Sequence, residues 1–533
     1  MSTADILIEN GLVIDGSGAA AYPASVEITG DRISYVGPER GTQAAKVIDA
    51  SGLVVSPGFI DIHSHSDLTP FFKGYFMDSK LCQGICLEIV GNCGISCLPT
   101  NDACRAETKE FVGAGLELPL GDMVLQDDTI VDYKKHVDSV RAATDIGVLI
   151  GHGTLRGTVM GFDMRPPTIE ELKKMGEALE FELQNGAFGM SLGLIYPPSS
   201  YGDLNEFVYL AKILKKYDAI LTVHMRSEST KIFEAVDEML EVARQSQVHL
   251  EISHFKLIGK PQWGKATQLL DKIRKAQAEG LEVTCDQYPY LATSTNLAAL
   301  VPGWAQSGGY EKMCERLADP SEQLLKEIGE EMERRGGSAK ILVVSTRNKY
   351  PELDGKMLSD IAEAFETAPE RAAARLLAEL GGGVPCCYFC LDEQDMLQIM
   401  AQPFVSVGTD GYSMPLDDSL FKGNPHPRSF GTFPRFFQTV REHQLMPLEK
   451  AVEKAAVLPA KVLGLSDWGK VKEGYIASLT IFDPETIEDK STYLDSKKQP
   501  AGIFYVLLKG KLALENGTRI PQNQGTVVLH PLS

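Results

Sequence analysis

The hydrophobic positions of this chain fall into two regimes. Residues 4 to 57 alternate apolar and polar side chains in short runs, "ILIENGLVIDG", "SVEITGDRISYVG" and "KVIDASGLVVSPG". Residues 471 to 529 do the same in "VKEGYIASLTIFDP", "FYVLLKGKLALENG" and "TVVL". A period of two, broken at Asn-Gly, Gly-Asp and Asp-Pro turns, predicts antiparallel β-structure. Two such ends around a long middle predict one small β-sandwich domain built from residues 1–57 and 458–533.

The middle, residues 58–457, has a different rhythm. Eight apolar runs occur in it: "GFIDIHSH", "CLEIVGNCG", "DIGVLIGH", "GAFGMSLGLIY", "AILTVHMR", "HLEISHF", "LEVTCDQYPY" and "PFVSVGTDG". Between several of them lie amphipathic segments such as "TIEELKKMGEALEFELQN" and "NEFVYLAKILKKY", which predict helices. Eight buried strands alternating with helices predict an α/β fold, a (β/α)8 TIM-like barrel. The stretch between the seventh and eighth runs exceeds one helix. It predicts an insertion after barrel strand 7, with residues 291–346 as a candidate lid and a further helix from about Leu358 to Leu380.

Composition narrows the partners. The 533 residues carry a formal net charge of −20, which argues against nucleic acid or an anionic membrane as partner, since both need a basic face. The opening "MSTADILIENGLVIDG" lacks a basic start and a continuous apolar stretch, so no signal peptide is expected. No apolar run approaches the roughly 20 residues that span a bilayer. Ten cysteines without an export signal predict a reducing, cytoplasmic setting and no disulfides. No stretch specifies an oligomeric state.

The chemistry sits where the runs end. Barrel enzymes place their sites at the C-terminal ends of the strands. The first run ends in His63-Ser-His65, and residues two apart in a strand point the same way. The second ends in Cys93, the fifth in His224, the sixth in His254 and the eighth in Asp410. Each alone reads equally well as a packed or capping residue. Together they form a ring of nitrogen, sulfur and oxygen donors around one axis, and that donor set suits Zn²⁺. His152 ends the third run and reads equally as a neighbour of this ring or as packing. Cys82, Cys86 and Cys97 surround Cys93 and hint at a cluster, and "CCYFC" holds a Cys387-x-x-Cys390 pair, but a zinc or iron–sulfur site would need two such pairs brought together. Cys82 and Cys86, on either side of a turn into the strand, read as packing, and the sequence assigns no role to Cys97, Cys386, Cys387 and Cys390.

The ordered set resembles the amidohydrolase superfamily. "EIVGNCG", "GLIYPP", "SHFK", "DQYPY", "GTDG" and "HPRSFGTFPR" further resemble its N-acyl-D-amino-acid deacylase (D-aminoacylase) branch, over residues 57 to about 435. The resemblance implies a tight zinc held by Cys93, His224 and His254, and a weaker site at His63, His65 and Asp410. It implies hydrolysis of the amide of a small N-acyl-D-amino acid at metal-activated water. Asp410 would act as general base and then acid, and Tyr196 would hydrogen-bond the developing oxyanion. Lys256, Tyr288 and Arg428 would grip the α-carboxylate.

Two alternatives compete. A cyclic amide hydrolase of the dihydropyrimidinase or hydantoinase kind would carry a lysine at the fourth strand, and "GAFGMSLGLIY" has none. An inactive scaffold would be expected to lose ligands, and all six are present. Neutral, apolar amino-acid side chains are expected, because Tyr290 to Gln306 contains no Lys or Arg. An acidic group against Leu297, Leu300, Val301 and Trp304 would be an unpaired buried charge. Lys312 and Arg316 are the bases near enough in sequence to alter that picture.

Overall fold

The computed structural model describes residues 3–115, 123, 125–417 and 423–531. The N-terminal strands are β1 (Thr3–Val13), β2 (Tyr22–Thr29), β3 (Arg32–Gly37), β4 (Gln43–Asp49) and β5 (Val54–Pro57). The barrel follows with β6 (Phe59–Asp61), β7 (Ile85–Val90), β8 (Asp145–Gly151), β9 (Gly189–Gly193), β10 (Ile220–His224), β11 (His249–Ile252) and β12 (Val283–Gln287). The insertion contributes β13 (Thr293–Asn296), β14 (Ile341–Val343), β15 (Lys356–Met357) and β16 (Pro385–Tyr388). The last barrel strand is β17 (Val405–Val407), and β18 (Leu479–Phe482), β19 (Ile503–Leu508), β20 (Lys511–Glu515) and β21 (Thr518–Arg519) end the chain.

Each of the eight apolar runs contains one strand of an eight-stranded parallel sheet, ordered β6-β7-β8-β9-β10-β11-β12-β17. All seven residues of β8 are buried, as expected of a strand covered on both faces. The two edge strands have three residues each and close the barrel through loop contacts. The Asp410 backbone N–H donates to His63 O (2.7 Å), and that of His65 to Gly411 O (2.9 Å). Below this seam lies a buried charge network. Lys80 Nζ reaches Asp61 Oδ2 and Thr409 Oγ1, each at 2.5 Å, with Glu88 Oε2 at 3.4 Å.

The helices form where the sequence supplies caps and an apolar stripe. Thr168 and Glu171 make a reciprocal capping box for Ile169–Gln184, whose Met175, Leu179 and Leu183 face the barrel. Asp203 caps Leu204–Lys216, which buries Phe207, Leu210 and Leu214. The expected helix from Leu358 to Leu380 is two helices, Leu358–Ala364 and Pro369–Glu379. Pro369 cannot continue a helix through its own nitrogen, and it holds Ala368 in extended backbone.

The two chain ends meet in one nine-stranded sheet running β21-β20-β19-β18-β5-β1-β2-β3, with β4 also on β1. It is mixed rather than purely antiparallel, because β1 pairs in parallel with both β4 and β5. Ile8, Val26, Ile48, Leu479 and Leu507 share its core. The insertion has its own four-stranded sheet, β13-β16-β14-β15, and its own core around Leu297, Ile328, Ile341 and Leu376.

Lys80→Met leaves Asp61 and Glu88 buried together without their cation. Removing one partner of a buried pair costs about 3–5 kcal/mol. The urea midpoint of the variant is expected to fall accordingly at unchanged m-value, and an unchanged midpoint would show that the seam does not depend on this charge.

Candidate metal centre

The turn after β7 explains the sequence Gly91-Asn92-Cys93-Gly94. Gly91 has φ +79° and its missing side chain leaves room for Leu149 O, which a Cβ would meet at 1.9 Å. Gly94, at φ +75°, sits against the backbone of Gly193 in the same way. Asn92 ties the turn down by donating to Ile89 O (2.9 Å). Cys93 itself adopts φ +53°, His254 +37° and Asp410 +52°. Three of the six donors thus sit in left-handed backbone, a conformation that persists only where surrounding structure enforces it and that gathers at functional sites.

All six donors converge. Cys93 Sγ lies 3.3 Å from His63 Nε2 and 3.5 Å from His254 Nε2. His65 Nε2 is 3.0 Å and His63 Nε2 3.3 Å from Asp410 Oδ1, and His254 Nε2 is 2.9 Å from His224 Nδ1. At roughly 2.0–2.3 Å from a tetrahedral ion, donor atoms stand about 3.3–3.7 Å apart; the three spacings of 3.3–3.5 Å suit one, and the pairs at 2.9 and 3.0 Å are tighter. The described donors form two sets, His63, His65, Cys93, Asp410 and Cys93, His224, His254, with the thiol common to both. His65 Nε2 and His224 Nδ1 are the ring nitrogens turned to the other donors, and their opposite nitrogens are buried with no hydrogen-bond partner among the described residues. A metal ligand role fits the chemistry of the set, one thiol, four imidazoles and a carboxylate.

The electrostatics favour ligation. Burial holds His224 and His254 well below the ordinary imidazole value and lowers His65 to about 4, so these rings are neutral lone-pair donors at pH 7. Burial also opposes ionisation of Asp410, but the Arg428 guanidinium, 2.5 Å away, and His63 outweigh it and hold the carboxyl well below its usual range. Burial pushes the Cys93 thiol up, although His63 works against this. A coordinated cation removes that penalty, because it deprotonates the thiol it binds.

The remaining expected residues line the same cavity, of about 40 Å³, with His65, Cys93, His224, His254 and Asp410. Tyr196 Oη is 2.9 Å from Thr295 Oγ1. Tyr288 lies between two cations, with Lys256 Nζ 5.9 Å and the Arg428 guanidinium 5.4 Å from its ring. Its hydroxyl is buried and has no protein partner.

Several residues escaped the sequence reading. Asp286, at the end of β12 in "DQYPY", lies 3.0 Å from His63 Nδ1 and accepts from the His254 backbone N–H at 2.9 Å, orienting two donors at once. Glu228, four residues past His224, lies 2.5 Å from Lys256 Nζ and 3.0 Å from His254 Nδ1. Neither had a signal beyond its distance from a strand end. His152 is held by Ser199 (2.8 Å) and Glu206 (2.9 Å), away from the ring. Cys82, Cys86, Cys387 and Cys390 are buried and belong to neither donor set.

The side-chain pocket needs a correction. Leu297, Leu300 and Val301 belong to the core of the insertion, and neither they nor Trp304 line the metal cavity. Thr293, Ser294, Thr295 and Arg335 line it instead. Arg335 follows the helix Glu322–Arg334, so the base that arrives is neither Lys312 nor Arg316. Its Nε donates to Glu331 (2.9 Å), its guanidinium lies 5.1 Å from the Tyr388 ring, and its two terminal nitrogens have no acceptor among the described residues.

A parallel barrel with histidines, a cysteine and an aspartate gathered at its strand ends defines a metal-dependent amidohydrolase. The comparisons with known proteins agree, and the chain belongs to the amidohydrolase family, whose models match residues 46–301 and 390–513. It is 30% identical to a D-aminoacylase of Alcaligenes xylosoxydans xylosoxydans, over 98% of this chain and 97% of that protein. It is 33% identical to an N-acyl-D-glutamate deacylase of the same organism, over 95% of this chain and 93% of that one. Among solved structures it is similar to the N-acyl-D-glutamate deacylase of Bordetella bronchiseptica in complex with zinc and a phosphonate inhibitor that mimics the tetrahedral intermediate. That similarity has a TM-score of 0.82 at 30% identity and covers 99% of this chain and 100% of that one. A D-hydantoinase shares only the fold, with a TM-score of 0.56 at 15% identity.

Because Cys93 belongs to both donor sets, Cys93→Ala is expected to reduce bound divalent metal at least about tenfold, the scale on which even outer partners act. Circular dichroism should be unchanged. Elemental analysis of the purified variant checks this, and full occupancy would overturn the assignment of the thiol.

Proposed function

We propose that this protein hydrolyses the amide of N-acyl-D-amino acids to a D-amino acid and a carboxylate, with zinc as its metal. The observation that carries this reading is the Tyr288 hydroxyl, buried without a partner between Lys256 and Arg428 and beside the donor ring. A donor flanked by two cations is a receptor for a carboxylate. Its position fits the α-carboxylate of an amino acid whose acyl carbonyl lies at the donor ring. Relatives named for this chemistry, along nearly the full length of the chain, support the same reading. β9 carries no lysine, and the hydantoinase likeness is limited to fold, so the linear amide is preferred over the cyclic one.

Zinc suits a set of one thiol, four imidazoles and one carboxylate, with Cys93, His224 and His254 as the tight site and His63, His65 and Asp410 as the weaker one. When bound, such a metal polarises a carbonyl and lowers the pKa of water to roughly 7. The residues of the chain supply the rest. Asp410, kept ionised beside Arg428, takes the proton from the attacking water and returns it to the leaving amine. Burial pushes the Tyr196 phenol well above its ordinary value, so it stays protonated and can turn from Thr295 to the carbonyl oxygen. The insertion acts as the cover of the site, supplying Thr293, Ser294, Thr295 and Arg335 to its wall.

The amino-acid side chain meets two kinds of surface. Ile95, Ile258 and Tyr412 offer apolar contact, which suits neutral side chains. Arg335 adds donors, so an acidic side chain would not be left without a partner in this cavity. We place the protein in the cytoplasm, acting on a small molecule rather than on nucleic acid or a membrane. Its acidity and the absence of disulfides among its ten cysteines support this. Among the described residues no helix is long and apolar enough to cross a membrane.

Rates over a panel of N-acetyl-D- and N-acetyl-L-amino acids test the reaction, and a preference for L-substrates would overturn it. Asp410→Asn keeps the size and removes the base, so kcat is expected to fall roughly 10²–10⁴-fold with the tight metal retained. Near-normal turnover would refute the role. Arg335→Leu is expected to lower kcat/KM for N-acetyl-D-Glu relative to N-acetyl-D-Leu by about tenfold or more, the scale of a charge-assisted hydrogen bond. An unchanged ratio would remove Arg335 from side-chain selection.

A further inference from the structure

A second cavity opens beside the metal cavity. It encloses about 150 Å³ against the 40 Å³ around the donors, and the two share Ile195 and Tyr196 as a common wall. Its sides are Phe111, Phe162, Pro197, Ala298, Ala299 and Met313, residues of the barrel face and of the insertion. The rings of Phe111 and Phe162 lie 5.4 Å apart on one side, tilted by 50°. The amides that reach it are turned to the backbone. Asn296 Oδ1 accepts from Ala298 N–H (2.9 Å), and Gln306 Nε2 donates to Val301 O (2.8 Å). Apart from these amides and three glutamates, the rest of the wall named here is apolar, and an apolar cavity of roughly this size takes up a benzene-sized ligand.

We infer that this chamber is the subsite for the acyl group, and that the enzyme acts on N-acyl-D-amino acids whose acyl part is a neutral apolar tail about as large as a hexanoyl chain or a phenyl ring. The inference rests on the proposed deacylase reaction. The carbonyl to be attacked lies at Tyr196, whose ring is 5.1 Å from that of His224. The carbonyl carbon carries the amino acid on one side and the acyl chain on the other. The amino acid is drawn to Lys256, Tyr288 and Arg428, and none of these lines the second cavity. The acyl chain must leave in another direction, and Tyr196 is the wall it passes. The metal cavity is the smaller of the two.

Charge at the edge refines the class. Glu107, Glu110 and Glu311 line the chamber, and among the described residues no Lys or Arg does. A carboxylate at the far end of the acyl chain, as in a succinyl group, would meet like charges and find no partner. The chamber therefore selects uncharged tails.

The test is kcat/KM for N-acetyl-, N-butanoyl-, N-hexanoyl- and N-succinyl-D-leucine with the zinc-loaded enzyme. A buried methylene is worth roughly fourfold, so hexanoyl is expected to exceed acetyl at least about tenfold, and succinyl to fall below butanoyl. Ala299→Phe fills the chamber from a partly buried position. It is expected to erase the rise with chain length while leaving the acetyl rate within about twofold. A flat or falling profile in the wild type overturns the acyl subsite but leaves the deacylase reading intact. Equal losses on acetyl and hexanoyl substrates in Ala299→Phe would likewise overturn it. Inactivity on the whole series and on the N-acetyl-D-amino-acid panel defeats the deacylase reading itself.

Discussion

The structure depends on how its barrel closes. β6 and β17 are too short to form a full ladder, yet they carry or adjoin His63, His65 and Asp410. The gap is closed by two backbone hydrogen bonds and by Lys80, buried among Asp61, Glu88 and Thr409. Burial alone would push Asp61 up, and the lysine opposes this. A charge held in so dry a place tolerates little displacement, so the network sets the register of the two strands whose ends supply half of the donor ring. Ser64 and Ser66 extend it upward by donating to Glu88, which lines up the two histidines of the first strand from below.

Above the seam, conformation and charge are arranged together. Cys93, His254 and Asp410 occupy left-handed backbone that an isolated chain would seldom adopt. Tight turns and packed neighbours enforce it, with Gly91 and Gly94 allowing the close approach of strands β8 and β9. Burial keeps three of the imidazoles neutral, and Arg428 keeps the aspartate ionised. The same arginine stands over Tyr288, so one side chain touches both the aspartate and the far wall of the cavity.

The insertion after β12 gives a general barrel its particular cavity. It has its own sheet and core, and can present side chains without disturbing the strands beneath. From it come Thr295, the partner of Tyr196, and Arg335, which lines the metal cavity. Its Ala298, Ala299 and Met313 form one side of the apolar chamber. The strand ends thus supply the donor ring, and the inserted unit supplies much of the wall of both cavities.

The barrel and all six donors were legible in the sequence. Strand periodicity is local, and a residue at the end of an apolar run points to the barrel mouth whatever else the chain does. Cys93, His224, His254 and Asp410 could therefore be placed without a contact map, and Tyr196, Lys256, Tyr288 and Arg428 through their motifs. The break between the helices Leu358–Ala364 and Pro369–Glu379 is also a local matter, set by Pro369. Lys80, Asp286 and Arg335 are different. Lys80 meets Thr409 across 329 residues, and Asp286 meets His63 across 223. Arg335 reaches the cavity only because a helix of the insertion ends there, and the stretch expected to wall the pocket packs into the core instead. Local periodicity decides which face of an element is buried. Which distant charge is brought to that face depends on the packing of elements against one another, and that is decided only when the whole chain folds.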